Sequence, residues 1–245
     1  MADCEKVTPY GGDSASKTGQ VREMFDNIAP AYDFMNRAMT LGVDKSWRRA
    51  LVSTVASRQP QAILDVATGT GDLAILLART LPQATVTGID LSEGMTSIGN
   101  DKVAAAGLSS RVTLTVGDCL ELPMPGESFD AVTVAYGVRN FQDLAKGYRE
   151  MARVLRPGGI LAVLELSTPT NPAVKPFYSL YTRAIIPTVG RLVSHDTRAD
   201  SYLPQSIAAV PQGDEMLALM TGAGLHQATF RRFTFGVCTL YTAYK

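Results

Sequence analysis

Ala62-Ile-Leu-Asp-Val-Ala-Thr-Gly-Thr-Gly-Asp-Leu-Ala74 is the stretch of sequence that decides the fold of this chain. Its apolar beginning predicts a buried strand, the glycines that follow predict a turn, and residues 72–81 predict a helix. A strand, a glycine turn and a helix N-terminus in this order form a nucleotide-binding loop, because glycines let backbone N–H groups approach a ligand. We therefore expect an α/β domain that binds a nucleotide.

An acidic residue follows the loop at the spacing that a ribose ligand requires. Asp90 ends the next apolar run, Ala84-Thr-Val-Thr-Gly-Ile-Asp90, nineteen residues after Gly71. A carboxylate at the end of the second strand can accept hydrogen bonds from the two ribose hydroxyls of a nucleotide.

Two kinds of nucleotide fit this loop. Gly69-x-Gly71-x-x-Ala74 matches the dinucleotide fingerprint with alanine at the third position, which is typical of NAD-dependent oxidoreductases. Asp65-x-Ala67-x-Gly69-x-Gly71 instead resembles motif I of the S-adenosylmethionine (SAM) methyltransferases. A carboxylate at Asp65 repels a pyrophosphate and attracts a sulfonium or an ammonium group. We therefore favour a methyltransferase over a dehydrogenase.

Composition argues against several other classes of protein. Lys plus Arg equals Asp plus Glu at 23 each, so no net charge attracts nucleic acid. No run approaches the roughly 18 apolar residues of a membrane span, and the first twenty residues lack a secretory signal. Cys4, Cys119 and Cys238 are far apart and lack ligand spacing, which argues against disulfides and zinc. We expect a cytoplasmic protein without a metal.

Strand-like and helix-like segments alternate along the chain. Further strands are predicted at 112–116, 129–135 and 159–166, with helices between them, and this alternation implies a parallel sheet. The last two runs, 225–232 and 235–244, are separated by two residues, which requires an antiparallel hairpin. A mostly parallel sheet that ends in this way resembles the seven-stranded class I methyltransferase fold.

The remaining segments suggest a lid over the sheet. We expect residues 1–19 to be a flexible tail and 20–245 to be a single domain. Within this domain, 20–58 predicts helices that break at Pro30, and the proline-rich segment 167–210 predicts a helical insertion. Both segments could cover the carboxyl edge of the sheet, where ligands of open α/β sheets bind.

Local signals predict where individual helices begin and end. Asp44 and Ser92 are expected N-caps. The apolar spacing in 141–155 predicts an amphipathic helix that stops at Arg156-Pro-Gly-Gly159. Inside the insertion, helices are expected at 174–186 and around 190–194.

Several motifs together resemble one methyltransferase family. They are Phe25-Asp-x-Ile-Ala-Pro-x-Tyr-Asp33, Met35-Asn36, Leu41-Gly42 through Trp47-Arg48, Gly137-Val-Arg-Asn140, Leu155-Arg-Pro-Gly-Gly159, Asp200-Ser-Tyr-Leu-x-x-Ser206 and Gly236-Val-Cys-Thr-Leu-Tyr-x-x-Tyr-Lys245. The chain is similar through them to the UbiE/MenG/Coq5 quinone C-methyltransferases over roughly residues 20–245. This resemblance implies a class I methyltransferase fold, SAM as the methyl donor and a polyprenylated quinol as the acceptor.

The resemblance also implies the residues of a SAM site. They are Asp65, Gly69, Thr70, Gly71, Asp90, Leu91, Asp118, Cys119 and Ala135. Asp90 would bind the ribose hydroxyls, Asp118 the adenine amino group, and the backbone N–H of Cys119 a ring nitrogen. Asp65 would face the methionine ammonium group directly or through water. Ala135 stands where many family members have serine, so only its backbone can contact SAM.

Three members of this set also have a purely structural alternative. Asp90 could cap the end of its strand, Asp118 could stabilise the turn before Leu120, and Cys119 could be a small buried residue. Thr68 stands where glycine is common in the family, and its side chain is expected to point away from the site.

The acceptor side rests on the chemistry that the family implies. A quinol ring carbon attacks the SAM methyl without a metal, and loss of a phenolic proton makes that carbon nucleophilic. The catalytic candidates are Arg139, Tyr136, Asn140, His195 and Tyr32, and further candidates are Asp33, Asp196 and Tyr202. Arg139 could lower the pKa of the phenol by its charge, or could form a structural salt bridge. His195 has the intrinsic pKa of a base, although a lone loop histidine is more often structural.

Two quinols remain as acceptors within the family. One is demethylmenaquinol, whose methylation gives menaquinol in menaquinone biosynthesis, and the other is the demethoxy-benzoquinol precursor of ubiquinone. The short N-terminus and the motifs Phe25-Asp-x-Ile-Ala-Pro30 and Gly236-Val-Cys-Thr-Leu-Tyr241 look more like the menaquinone-only branch of the family. They favour demethylmenaquinol. An apolar groove for the isoprenoid tail is expected in the insertion, among Phe177, Tyr178, Tyr181, Ile185 and Ile186.

Other aspects of function stay open at this point. The lipid acceptor implies peripheral contact with the inner face of the cell membrane, and a homodimer is compatible with the sequence. Besides a dehydrogenase, an inactive scaffold in a quinone-synthesis complex fits the same family pattern.

Overall fold

A seven-stranded sheet forms the centre of the protein in a computed structural model that describes residues 2–11, 15–182 and 202–245. The strands are β1 (Ala62–Val66), β2 (Thr85–Asp90), β3 (Val112–Val116), β4 (Phe129–Ala135), β5 (Leu155–Leu166), β6 (His226–Phe233) and β7 (Cys238–Tyr244). Their order is β3-β2-β1-β4-β5-β7-β6. Strands β1 to β5 are parallel, whereas β7 runs antiparallel to both β5 and β6. The predicted sheet and its terminal hairpin are confirmed.

Helices cover both faces of this sheet. In the described residues they are α1 (Asp3–Lys6), α2 (Lys17–Ile28), α3 (Tyr32–Thr40), α4 (Asp44–Ala56), α5 (Asp72–Thr80), α6 (Glu93–Ala105), α7 (Leu144–Val154), α8 (Lys175–Leu180), α9 (Tyr202–Ala209) and α10 (Asp214–Gly222). Helices α4, α5 and α6 pack on one face, and α7 and α10 pack on the other. This arrangement explains why the central strands are apolar at successive positions rather than alternate ones.

The first strand shows how the sequence fills both cores. Ile63 packs with the α4 and α5 side, and Leu64 packs with the α7 and α10 side, and neither side chain is exposed. Truncation of Leu64 to alanine would cost about 2–5 kcal/mol, because the neighbouring helices cannot fully collapse into the cavity.

Several predicted helix boundaries are confirmed. Pro30 lies in a short 3-10 turn that separates α2 from α3. The Ser92 hydroxyl accepts a hydrogen bond from the backbone N–H of Met95 at 3.0 Å and caps α6. In the hairpin, a 3-10 turn at Thr234–Gly236 joins β6 to β7.

Two helix starts differ from the sequence prediction. Asp44 is not the N-cap of α4, because Val43 occupies that position. The buried Asp44 carboxylate instead accepts a hydrogen bond from the Thr40 hydroxyl at 2.8 Å and pairs with Arg48. The helix predicted from residue 141 begins only at Leu144, since a 3-10 turn precedes it.

The described part of the expected N-terminal tail is packed against the domain. Cys4 in α1 is fully buried, and Glu5 accepts a hydrogen bond from the backbone N–H of Leu144 at 2.8 Å. The Lys17 ammonium group donates to the carbonyl of Arg139 at 3.0 Å. The polar composition of this segment concealed these contacts, and the flexibility expected for residues 1–19 stays a prediction.

Parts of the insertion lie within the described residues. The helix predicted over 174–186 is found as α8, and α9 lies at the end of the insertion. The helix expected around 190–194 lies outside the described residues, as do Ile185, Ile186, His195 and Asp196. Within the described ranges, no helix has both the length and the apolar character needed to span a bilayer.

Candidate active site

A cleft of about 640 Å³ lies at the carboxyl ends of the first four strands. Strand ends and the segments after them supply its floor, and helices α2 and α3 supply a roof that includes Phe25 and Tyr32. The cleft is lined by most of the predicted SAM-site residues, namely Gly69, Asp90, Leu91, Asp118, Cys119 and Ala135, and by three predicted catalytic residues, Tyr32, Tyr136 and Asn140. Ligands of open α/β sheets bind at this edge.

The glycine turn has the backbone geometry that its sequence predicts. Gly69 and Gly71 have φ angles of +57° and +77°, where residues with a side chain are strained. A Cβ at Gly71 would come within 2.8 Å of a methyl carbon of Leu114. Gly71 precedes α5 and does not line the cleft, so close packing of α5 on the sheet is its role in the structure.

Asp90 is fixed at the edge of the cleft. One carboxylate oxygen accepts from the backbone N–H of Gly69 at 2.8 Å, and the other accepts from the N–H of Ser92 at 2.9 Å. Burial raises the pKa of this carboxyl, although the two backbone donors oppose the shift. Asp90 therefore caps the end of its strand and also lines the cleft.

Asp118 and Cys119 lie at the far end of the cleft, after β3. Asp118 accepts a hydrogen bond from the backbone N–H of Leu120 at 2.8 Å, so the turn role is present. Burial raises the pKa of the Cys119 thiol well above its usual range, which keeps the thiol neutral. Both residues nevertheless line the cleft.

Asp65 lies in a smaller pocket of about 350 Å³ that shares Gly69, Ala135 and Tyr136 with the cleft. The carboxylate is only 1% exposed and accepts hydrogen bonds from the hydroxyls of Thr68 at 2.6 Å and Thr133 at 2.7 Å. Burial raises the pKa of Asp65 to about 6.

The expectation that the Thr68 side chain points away from the site is wrong. Its hydroxyl is one of the two groups that hold the Asp65 carboxylate. A serine or threonine three residues after an acid at a strand end can make this local hydrogen bond, which is the signal that the sequence offered.

Helix α3 is anchored to the glycine turn by a polar cluster. The Thr70 hydroxyl donates to Asp33 at 2.6 Å, and the Lys102 ammonium group lies 2.7 Å from the other oxygen of Asp33. Lys102 also pairs with Asp72, the first residue of α5. Thr70 therefore holds the roof in place, and Asp33 is engaged in an ion pair.

Helix α2 is anchored to the start of α6 in a similar way. Asp26 accepts hydrogen bonds from the Ser92 hydroxyl at 2.6 Å and from the backbone N–H of Gly94 at 3.1 Å. The Phe25 and Tyr32 rings pack edge to face, 5.9 Å apart, above the cleft. The N-terminal motif Phe25-Asp-x-Ile-Ala-Pro-x-Tyr-Asp33 thus builds the roof of the cleft.

A second, larger cavity of about 1290 Å³ lies beside the cleft. It is bounded by α3, α4, α8, α9 and the β6–β7 turn, and most of its lining side chains are apolar. Phe177, Tyr178 and Tyr181, three of the residues expected to form an apolar groove, are among them. Tyr136 lines this cavity, the cleft and the pocket of Asp65, so the three spaces meet at one side chain.

Tyr136 is held in an unusual conformation at this junction. Its φ of +62° is strained for an aromatic residue by about 1–3 kcal/mol. Within the described residues its buried hydroxyl has no nitrogen or oxygen partner, and the Cys238 thiol is its neighbour. Burial raises the pKa of Tyr136 well above its usual range, so this phenol is no base at neutral pH.

Arg48 also lies at the junction, and sequence reasoning assigned it no role. Its guanidinium is 5.6 Å from the centre of the Tyr136 ring, within the range of a cation–π contact. It pairs with Asp72 at 3.0 Å and Asp44 at 3.2 Å. Arg48 lines both the apolar cavity and the Asp65 pocket. Its place in the motif that ends at Trp47-Arg48 was the available signal.

Arg139 forms the buried salt bridge that was its structural alternative. Its guanidinium lies 2.8 Å from the Glu165 carboxylate and also donates to the carbonyl of Tyr136. Burial by itself lowers the pKa of Arg139, but the charge and hydrogen bond of Glu165, together with the nearby Tyr32 and Tyr202, raise it above its usual value. Arg139 still lines the apolar cavity. Glu165, an isolated acid inside a buried strand, was overlooked in the sequence.

The other catalytic candidates have different surroundings. Asn140 accepts a hydrogen bond from the Tyr202 hydroxyl at 2.9 Å and lines the cleft rather than the apolar cavity. Burial raises the pKa of Tyr32, which therefore keeps its proton at neutral pH. His195 lies outside the described residues and stays a prediction.

The sheet order, the glycine turn and the acids at the ends of β1 and β2 define a class I methyltransferase. The chain belongs to the ubiE/COQ5 methyltransferase family, whose sequence profile matches residues 13–245. It is 49% identical over 241 residues to a demethylmenaquinone methyltransferase of Bacteroides fragilis, with 98% of both chains covered. It is 42% identical to the ubiquinone/menaquinone biosynthesis C-methyltransferase UbiE of Geobacter sulfurreducens, covering 99% of this chain and 95% of the relative.

Solved structures support the same fold. The [4+2]-cyclase SpnF superposes with a TM-score of 0.68 at 20% identity, covering 97% of this chain and 98% of that one. A SAM-dependent methyltransferase from Aquifex aeolicus has a TM-score of 0.53 at 19% identity, covering 75% of this chain and 81% of that one.

Proposed function

We propose that this protein transfers the methyl group of SAM to a ring carbon of demethylmenaquinol and so forms menaquinol in menaquinone biosynthesis. The observation that carries the proposal is the apolar cavity of about 1290 Å³ that meets the cleft at Tyr136. A lipid acceptor with an isoprenoid tail needs such a space next to its methyl donor. The demethylmenaquinone methyltransferase of Bacteroides fragilis, similar over 98% of this chain, supports the choice of acceptor.

The residues of the cleft fit SAM in their chemistry. Asp90 is held by two backbone donors with its carboxylate at the cleft, where it can accept hydrogen bonds from ribose hydroxyls. Leu91 and Met95 offer apolar surface for an adenine ring. Asp118 can accept from the adenine amino group. Asp65, in the adjoining pocket, would attract the methionine ammonium group.

SAM, when bound, supplies a methyl group made electrophilic by a sulfonium. The chain's own task is to make a ring carbon of the acceptor nucleophilic, which follows from lowering the pKa of a phenol that is near 10 in water. Arg48 and Arg139 both line the cavity in which the acceptor would lie. Their positive charges would stabilise a phenolate there, and the surrounding apolar side chains would strengthen that effect.

The group that accepts the phenolic proton is not Tyr136, Tyr32 or Asn140. Tyr136 and Tyr32 keep their protons because burial raises the pKa of both phenols. Asn140 does not titrate. His195 therefore remains the proposed base, on the ground of its intrinsic pKa alone.

Transfer of labelled methyl from SAM to two reduced short-tail acceptors tests this function. The acceptors are demethylmenaquinol and the demethoxy-benzoquinol precursor of ubiquinone, assayed in parallel. Label on the naphthoquinol alone is expected, and label on both would indicate an enzyme of two pathways, as the name of the Geobacter relative suggests for that protein. If neither acceptor is labelled while SAM still binds, the proposed acceptor is wrong and an inactive scaffold becomes the better explanation.

A further inference from the structure

Exposed apolar side chains are concentrated around the mouth of the apolar cavity. Among the described residues, seven large apolar side chains are exposed, and four of them also line this cavity. These four are Leu41, Val43, Phe177 and Phe235, which we call the apolar rim. Leu41 is 85% exposed and Phe235 is 80% exposed. Single exposed apolar residues are ordinary, but a cluster around one opening marks an interaction surface.

Backbone conformation at the rim also indicates an interaction surface. Leu41 ends α3 with a φ of +51°, and Phe235 lies in the β6–β7 turn with a φ of +57°. Glycine would occupy both positions without strain, whereas a large side chain is strained there. Neither side chain packs in the core, so the stability of the fold does not explain why an apolar residue stands at either turn.

The segments that carry the rim are tied together. The Trp47 indole N–H donates to the Thr234 hydroxyl at 2.9 Å, which links α4 to the β6–β7 turn. The Tyr181 hydroxyl donates to the carbonyl of Met39, which links the end of α8 to α3. The rim is therefore a braced surface rather than a set of independent loops.

A basic groove of about 730 Å³ adjoins the rim and shares Asp44 and Arg48 with the apolar cavity. Its exposed cations are Arg37, Lys45, Arg49 and Arg79. In the ranges that the structure describes, none of the four has a carboxylate within 4.0 Å, because Asp44 and Asp72 pair with Arg48 and Lys102. The whole chain has no net charge, so this groove is a local concentration of unpaired positive charge.

We propose that the apolar rim and the basic groove together dock the protein on an anionic lipid bilayer. The rim enters the boundary of the acyl chains, and the groove binds the negatively charged headgroups beside it. The mouth of the cavity then faces the bilayer, so a lipid acceptor enters without crossing water; this last step rests on the proposed function. A second copy of the same surface fits less well, because a two-fold contact would bring the two basic grooves together.

Vesicle binding by the full-length protein tests this surface. Cosedimentation with vesicles of phosphatidylglycerol and phosphatidylcholine is compared with vesicles of phosphatidylcholine alone. The native protein is expected to prefer the anionic vesicles, and Leu41→Ser with Phe235→Ser is expected to weaken binding by about tenfold or more. Val116→Ser is the matched control, because Val116 is 54% exposed on β3, at the opposite edge of the sheet. Thermal unfolding verifies that each variant is folded.

Charge reversal separates docking from methyl transfer. Arg79→Glu, in the basic groove but outside the cleft and the apolar cavity, is expected to weaken binding to anionic vesicles by about fivefold or more. Methyl transfer to a short-tail acceptor in solution should stay unchanged. Arg149→Glu, on the exposed face of α7, is the control and should bind vesicles as the native protein does.

Three results would overturn the docking proposal. The first is that the native protein does not bind the anionic vesicles. The second is that the double rim variant binds them as tightly as the native protein does. The third is that the native protein is a dimer and the double rim variant is a monomer. The last result would assign the rim to an interface between copies. Rim-dependent vesicle binding without any methylation of the short-tail acceptors would contradict the proposed function alone.

Discussion

The Thr70 hydroxyl donates a 2.6 Å hydrogen bond to the Asp33 carboxylate and so joins the roof of the cleft to the glycine turn. The sequence placed Thr70 in the SAM site and Asp33 among the catalytic candidates. In the structure the two side chains hold each other, with Lys102 on the far oxygen of Asp33, and Thr70 also lines the pocket of Asp65. We propose that this bond supports SAM binding by fixing the position of the roof.

Removal of this bond should loosen the roof. Thr70→Val keeps the shape of the side chain but removes the hydroxyl donor of the half-buried Asp33, which then keeps only Lys102 as its partner among the described residues. This loss should lower the free energy of unfolding by about 1 kcal/mol. We expect the dissociation constant for SAM to rise as well, measured by titration calorimetry. Thr113→Val on the exposed edge strand β3 is the control and should change neither quantity. Unchanged SAM affinity in Thr70→Val would show that the roof does not depend on this bond.

Asp65 should oppose folding while it supports ligand binding. The rise of its pKa from 3.8 to about 6 corresponds to about 3 kcal/mol against the ionised form in the folded state. This cost is fully present above pH 6, where folded and unfolded chains are both ionised, and it disappears below about pH 4. Asp65→Asn should therefore stabilise the ligand-free protein at pH 7, but not at about pH 4, and should abolish SAM binding. Urea unfolding at both pH values, with calorimetry for SAM, measures this; a less stable variant at pH 7 would contradict it.

The same carboxyl should make SAM affinity depend on pH. Because attraction of an ammonium group requires ionised Asp65, affinity should fall as the pH drops through about 6. The Thr133 hydroxyl stabilises the carboxylate, so Thr133→Val should raise the pKa of Asp65 further and move the midpoint to a higher pH. Dissociation constants measured between about pH 5 and about pH 8 give both midpoints. A midpoint that does not move, or that moves to lower pH, would refute the assigned role of Asp65.

The architecture was predictable from sequence, and much of the site's polar network was not. The sheet follows from local signals in the sequence. These are the alternation of strands and helices, the glycine turn, and the gap of two residues between the runs 225–232 and 235–244. The partners of Arg48, Glu165 and Lys102 depend instead on segments that are distant in sequence and meet only after folding. Asp44 was misassigned for a different reason: its partners Thr40 and Arg48 lie four residues before and after it, and these local bonds take the place of the expected cap.

Arg48 should lower the pKa of the acceptor phenol. Arg48→Lys keeps a positive charge but loses the planar fork that reaches Asp44 and Asp72 and lies over Tyr136. We expect kcat for a short-tail acceptor to fall by about tenfold to a hundredfold at neutral pH. The loss should shrink at higher pH, where the phenol ionises without help. Arg49→Lys, on the next residue and outside the cavity, is the control; a pH profile with the same shape in Arg48→Lys and native protein would leave Arg48 with a structural role only.

Glu165 should be essential for stability because it neutralises a buried cation. Glu165→Gln leaves the Arg139 guanidinium, only 7% exposed, without its counter-charge, which should cost about 3–5 kcal/mol in urea unfolding. Removal of both charges in Arg139→Met with Glu165→Leu should restore most of that stability, since no buried charge is then left unpaired. If Arg139 also stabilises the acceptor phenolate, this double variant should be folded and bind SAM, yet transfer methyl groups far more slowly than the native protein. A folded double variant with native kcat would assign Arg139 to the fold alone.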